Sequence, residues 1–214
     1  MEFALDHIVY AVTDLARGCE SFADLTGVRP IHGGAHSMMG TQNALASFDD
    51  RVYLELIAPD PETAKPDNLG GRLAKIPTAQ LFAWALQAPM LDEPVQAMTQ
   101  FGLSPTPPTR ISRAQPSGET IHWEIAGLRD LGGAWPFFIS WRDAPHPSTE
   151  APLVGSLLLF EATLPITEIE MLPFAGCGGA TLRSGPPTIA LAFESPNGPV
   201  EWSQSEPIGF FGSA

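Results

Sequence analysis

The chain has 214 residues, 44% of them apolar, and a formal net charge of −13 from 24 acidic against 11 basic residues. That length suits one domain or two small ones with a real core. So acidic a surface repels phosphate, which excludes nucleic acid and anionic membrane as natural partners.

Cys19 and Cys177 form no CxxC and no Cys/His cluster, so they read as free thiols of a cytoplasmic protein rather than zinc ligands. The start, Met1-Glu2-Phe3-Ala4-Leu5-Asp6, is acidic and has neither part of a signal peptide. The strongest apolar run, Leu157 to Phe160, is far too short to span a bilayer.

Leu5 to Val12 reads as a β-strand in which His7, Val9 and Ala11 share a face. Thr13 or Asp14 then caps a helix whose buried stripe is Leu15, Cys19, Phe22 and Leu25, stopped by Gly27. Val28-Arg29-Pro30 begins a second strand, and Gly33 to Gly40 reads as a loop. Thr41 to Phe48, an Asp49-Asp50 turn and Arg51 to Ile57 follow, the last with Tyr53, Glu55 and Ile57 on one face. The order is β-α-β-β-β. A histidine and a carboxylate buried without partners would each cost several kcal/mol, on the order of 2–7. On neighbouring strands, His7 and Glu55 can instead share a metal ion or work as an acid–base pair.

Pro59 to Pro77 is polar and rich in Pro and Gly, a linker. The pattern then returns. Leu81 to Gln87 is a strand, Asp92 caps a helix with apolar Val95, Met98 and Phe101, and strands follow near Arg110–Ala114, Thr120–Ala126 and Trp135–Trp141, with a Pro116-Ser117-Gly118 turn. Gly102-Leu103-Ser104-Pro105 echoes Gly27-Val28-Arg29-Pro30, so the chain reads as a duplication. A second linker, Asp143 to Pro152, leads to a strand at Ser156–Thr163 and a short helix or turn at Ile166–Leu172. A hairpin of Thr188–Glu194 and Pro199–Trp202 then turns at Pro196-Asn197-Gly198.

A tandem β-α-β-β-β chain with Leu-Asp-His on its first strand and Tyr-Leu-Glu-Leu-Ile on its fourth resembles the vicinal oxygen chelate superfamily, the fold of glyoxalase I, extradiol dioxygenases and bleomycin-resistance proteins. The Gly33-Gly34-Ala35-His36 to Gly40-Thr41-Gln42-Asn43 segment and Pro136 to Trp141 resemble, more narrowly, glyoxalase-like domain proteins. The resemblance implies an α+β fold: paired modules, 1–59 and 78–142, curl into a cupped mixed sheet spanning 1–142, with a partial third module at 153–214 on the same domain. It places His7 and Glu55 at the centre as metal ligands for Zn, Ni, Mn or Fe, with Glu55 also a candidate catalytic base.

His36, Thr41, Asn43 and His122 become candidate ligand-binding residues, and the Gly33–Asn43 loop a lid over the cup. The second module supplies no donor: Phe82 or Ala83 stands opposite His7, and Phe137 to Ile139 opposite Glu55. That departure predicts weak glyoxalase I turnover. Two functions stay open. One is a lyase or isomerase acting on a small oxygenated molecule, and the other is metal-free binding or sequestration of such a molecule. Either way the expected partner is a small molecule, with a homodimer left open.

Overall fold

The computed structural model describes residues 3–48, 51–115 and 117–211, so the expected Asp49-Asp50 turn and Pro116 lie outside the described residues. The first β-α-β-β-β unit comprises β1 (Ala4–Ala11), α1 (Leu15–Thr26), β2 (Ile31–His36), β3 (Thr41–Phe48) and β4 (Tyr53–Pro59). The second comprises β5 (Gln80–Gln87), α3 (Asp92–Gln100), β6 (Thr109–Ala114), β7 (Thr120–Ala126) and β8 (Phe137–Ser140). Between them lies a short helix, α2 (Leu69–Leu73), where the sequence reads as plain linker. The Asn68 side chain accepts from the Gly71 amide, and that cap makes one helical turn worthwhile inside a polar stretch.

The two helix starts differ. Asp14 caps α1 by accepting from the Arg17 amide. Asp92, expected as a cap, is instead the first residue of α3, where its charge favours the helix N-terminus. The two helix exits are alike: Gly27 and Gly102 both take positive φ, 80° and 88°, which bends the chain into the next strand in each unit.

Each unit forms half of one sheet. The strands run β2-β6-β7-β8-β5-β1-β4-β3, and β2 also pairs with β3, so eight strands close into a cup. Within each unit the first and fourth strands run parallel, β1 with β4 and β5 with β8. The antiparallel β1–β5 ladder joins the halves at the centre. The opposite seam is thin: β2 meets β6 at Ala35 and Ala114. Gly34 makes it possible, since a Cβ there would sit 2.0 Å from the Ala114 carbonyl oxygen.

A ninth strand, β9 (Leu153–Gly155), adds parallel to β3 after a 3₁₀ turn at Pro147–Thr149. A separate four-stranded sheet follows, ordered β11 (Thr181–Ser184), β10 (Leu157–Leu164), β12 (Thr188–Phe193) and β13 (Val200–Ser205). Ser195 and Gly198 exchange two backbone hydrogen bonds at its hairpin turn.

Side-chain alternation gives the cup two apolar faces. The outer one gathers Ile8, Leu54, Trp84 and Phe138 with Phe22 of α1 and with Phe160 and Phe193 of the second sheet. The inner one holds Val9, Ile57, Phe82, Trp123, Phe137 and Trp141. Each fully buried large side chain contributes about 1.5–3 kcal/mol, so both faces are well secured. No described helix is long and apolar enough to cross a membrane. Cys19 and Cys177 are free and buried, and burial pushes the Cys177 thiol up to about 11.

Candidate functional site

Inside the cup lies a cavity of about 30 Å³, lined by His7, His36, Asn43, Glu55 and Arg113 among Tyr53, Trp123, Phe137, Trp141 and Phe210. A single water needs roughly 10–15 Å³ measured this way, so the space suits a molecule of a few heavy atoms.

β1 supplies two polar groups rather than one. Its ladder with β5 is irregular between Leu5 and His7. Asp6 there is buried against cup-side partners, where strict alternation would turn it to the other face. Asp6 Oδ1 lies 2.6 Å from His7 Nδ1, and Oδ2 accepts from Trp141 Nε1 at 2.9 Å and lies 3.1 Å from His146 Nε2. Burial pushes the Asp6 carboxyl up, but hydrogen bonds and charge from His146 and His7 outweigh it and hold the group at about 2. Ionised Asp6 therefore fixes the His7 tautomer: Nδ1 carries its proton, and Nε2 is left facing Glu55 Oε2 at 3.7 Å. Tyr53 stacks on the His7 ring at 4.6 Å and Phe137 meets it edge-on at 5.4 Å, so the imidazole is held on both sides.

Glu55 is positioned by β3. Asn43 Nδ2 donates to Glu55 Oε1 at 2.6 Å, and Arg113 Nη1 donates to Asn43 Oδ1 at 3.4 Å. These partners orient the Asn43 amide, its nitrogen to the carboxylate and its oxygen to the guanidinium. Gly33 leaves the room: a Cβ there would lie 2.4 Å from Asn43 Oδ1 and 2.8 Å from Arg113 Nη1. His36 Nδ1 lies 3.1 Å from Thr41 Oγ1. Burial, reinforced by Arg113 and His7 and opposed by Glu55, pushes His36 down to about 4, so it is neutral at pH 7. Burial together with Asp6 and Glu55 raises the Tyr53 phenol, which stays protonated.

His7, Glu55, His36 and Asn43 thus converge on one cavity. Thr41 is buried beside His36 but does not line the cavity. His122 is corrected: it is exposed, because on β7 it is Trp123 and Ile125 that turn inward. The Gly33–Asn43 segment is corrected too. Gly33 to His36 belong to β2, so this is a strand–turn–strand wall of the cup and not a lid. What does cover the cup is the chain near 210, where Phe210 packs on Phe82 and Phe137 and its carbonyl accepts from Arg72.

The second-unit counterparts follow from the ladders. The β1–β5 ladder skips Asp6 on one strand and Phe82 on the other, so Phe82 matches Asp6 and Ala83 matches His7. Val9 faces Glu55 and its counterpart Ala85 faces Phe137, so Phe137 matches Glu55. Neither Ala83 nor Phe137 can ligate a metal, and no three His, Cys, Asp or Glu among the described residues are grouped to hold one.

A family model described as a glyoxalase-like domain matches residues 5–171. The chain belongs to that family. The glyoxalase-like chain accordingly sits in the vicinal oxygen chelate superfamily, and solved structures agree on the fold. A hypothetical protein from Staphylococcus aureus matches with a TM-score of 0.59 at 17% identity, over 75% of this chain and 69% of that one. A methylmalonyl-CoA epimerase in complex with methylmalonyl-CoA and NH4+ matches with a TM-score of 0.51 at 20% identity, over 69% of this chain and 100% of that one. A variant of the Streptomyces coelicolor epimerase, in complex with 2-nitronate-propionyl-CoA, gives 0.50 at 20% identity, over 67% and 98%. At these identities the likeness is one of fold. No curated protein matches the sequence.

Proposed function

We propose that the cup binds a small oxygenated molecule and moves a proton on the carbon beside its carbonyl, as an isomerase or lyase of this fold would. Glu55 is the base and His7 the partner that faces the carbonyl oxygen. The observation that carries this reading is the asymmetric hold on Glu55: Asn43 engages one oxygen, while the other looks across 3.7 Å to His7 Nε2. That oxygen has a lone pair for a C–H proton. The C–H electron pair passes to the carbonyl oxygen, which the doubly protonated form of His7, with Nδ1–H on Asp6 and Nε2–H on that oxygen, steadies by a hydrogen bond. For a hydroxy-carbonyl substrate, return of the proton from Glu55 to the former carbonyl carbon, while the proton of the neighbouring hydroxyl passes to the former carbonyl oxygen, completes an isomerisation.

For a divalent ion, His7 and Glu55 would be the holders and would supply Lewis-acid polarisation of the same oxygen. With Ala83 and Phe137 in the other two places the donor set is half filled, and the pair is read as acid and base. The same two apolar positions favour the second reading, binding or sequestration without turnover.

One experiment separates the two. Small oxo and hydroxy compounds are screened by thermal shift, and those that stabilise the protein are incubated with it in deuterated water and followed by proton NMR. Deuterium entering the carbon beside the carbonyl, stopped by Glu55→Gln, supports the acid–base reading. Stabilisation without exchange supports sequestration. No stabilisation by any compound overturns both.

A further inference from the structure

Arg113 has no part in the proton transfer, yet it is buried to 5% exposure on the inner face of β6. Among the described residues it forms no ion pair, and its single side-chain hydrogen bond is the long one to Asn43. Its Nε is buried without a partner. A buried guanidinium nitrogen left without an acceptor is costly unless something fills its place, the more so because the group is charged. Arg113 lines the cavity that holds His7 and Glu55. The sequence makes room for it as well, since Gly33 leaves the space that Nη1 occupies.

We propose that Arg113 is a carboxylate subsite, so that the ligand of the cup is a small carboxylic acid bearing a carbonyl or hydroxyl group, of about the size of pyruvate or glyoxylate. This rests on the reading of the cup as a binding site and names its substrate class. A guanidinium offers Nε and a terminal nitrogen as two parallel donors, matched to the two oxygens of a carboxylate. The unpartnered Nε leaves half of that fork unused by the protein itself. Asn43 holds Arg113 one side-chain amide away from Glu55, so an acid anchored on the guanidinium places its neighbouring carbon toward the base. The small cavity keeps the anion short, and glyoxylate and pyruvate are among the smallest acids that carry a carbonyl beside the carboxylate. The inner wall of Tyr53, Phe137 and Trp141 keeps water from competing for the pair.

The test is titration of the purified chain with pyruvate, and with pyruvamide and hydroxyacetone as uncharged counterparts, by calorimetry. The wild type is expected to prefer pyruvate over pyruvamide by about tenfold or more, and Arg113→Gln to lose that preference. A second measurement needs no variant. Saturating pyruvate should shift the buried Arg113 Nε–H signal in nitrogen-15 NMR, while hydroxyacetone should not. Equal or weaker binding of pyruvate than pyruvamide, an unmoved Nε signal, or binding of none of the three at millimolar concentration overturns the subsite. Hydroxyacetone binding with Glu55-dependent exchange but no carboxylate preference would reject the Arg113 subsite and leave the acid–base reading standing. Arg113-dependent pyruvate binding without exchange would do the reverse.

Discussion

The two β-α-β-β-β units share a path through space but not a chemistry. At the centre of the cup the first presents Asp6, His7 and Glu55, while the second presents Phe82, Ala83 and Phe137 at matching points of the ladder. The second unit is still not idle, for it contributes Phe137, Trp141 and Arg113 to the same cavity. One half carries the groups proposed to react, and the other carries the wall and a fixed positive charge. A duplicated fold can thus divide labour: an incomplete ligand set in one copy marks specialisation of that copy and says nothing against a site.

The sharpest way to break this comparison is to remove the first half's base. Glu55→Gln should slow any exchange reaction by about 10²–10⁴-fold while ligand binding persists, as deuterium incorporation measured beside calorimetry will report. If exchange survives, the reactive half has been misassigned. Next in size is Asp6→Ala. It strips one buried acceptor from His7, His146 and Trp141 together, and breaking a buried polar hub of this kind costs about 3–5 kcal/mol. At about 2–4 °C per kcal/mol for a chain of this size, the melting temperature should fall by roughly 10 °C.

Acid offers a third test. The folded pKa of His36 lies near 4, below the ordinary histidine value of 6.5, so between those values the unfolded chain binds a proton that the folded chain refuses. Stability is therefore complete above about pH 6.5 and declines as pH falls toward 4, by about 3 kcal/mol in all. Asp6, depressed from 3.8 to about 2, adds a second loss between pH 4 and 2. Melting curves against pH should show both phases, and His36→Gln should flatten the upper one only.

The comparison can also be sharpened by making the halves alike. Ala83→His with Phe137→Glu restores the missing donors, and zinc or nickel affinity by calorimetry should rise on the order of 100-fold, each added ligand being worth about tenfold. Ala83 and Phe137 are both buried, so a loss of about 1–3 kcal/mol in stability should accompany the gain. The smallest effect belongs to His122→Ala, which should change binding and melting by less than about 0.5 kcal/mol because the side chain lies in solvent.

Much of the fold was legible because it rests on local rules. Leu15, Cys19 and Phe22 of the α1 stripe and the Gly27 exit followed helical spacing and capping, though Thr26 and not the exposed Leu25 completes the stripe. The repeat disclosed the second unit, and alternation set out β1 and β4. His7 and Glu55 came from the same alternation. The irregularity beside Asp6 could not be read so, because alternation by itself turns Asp6 outward. Arg113 did leave a signal: Ile111 and Arg113 fall on one face of β6 and Arg110 and Ser112 on the other. Weighing a charge on the apolar face would have found it. His146 left none, since it reads as a linker histidine between prolines and meets Asp6 only through the closed fold. The α2 helix was hidden by Pro and Gly around a cap at Asn68, and the Gly33–His36 segment by two glycines that serve close packing rather than a turn.

The Asp6 carboxylate also bears on the order in which the molecule assembles. Its bonds to Trp141 and His146 join positions 135 and 140 residues apart in the chain. Helices such as α1 and hairpins such as β12–β13 can form from neighbours, but this hub needs about two thirds of the chain already gathered. Long-range closures of this kind are slow to be rewarded during folding. Refolding should therefore recover helical signal before Trp141 is buried and the cup closed, and the geometry around His7 and Glu55 is the last thing the polypeptide acquires.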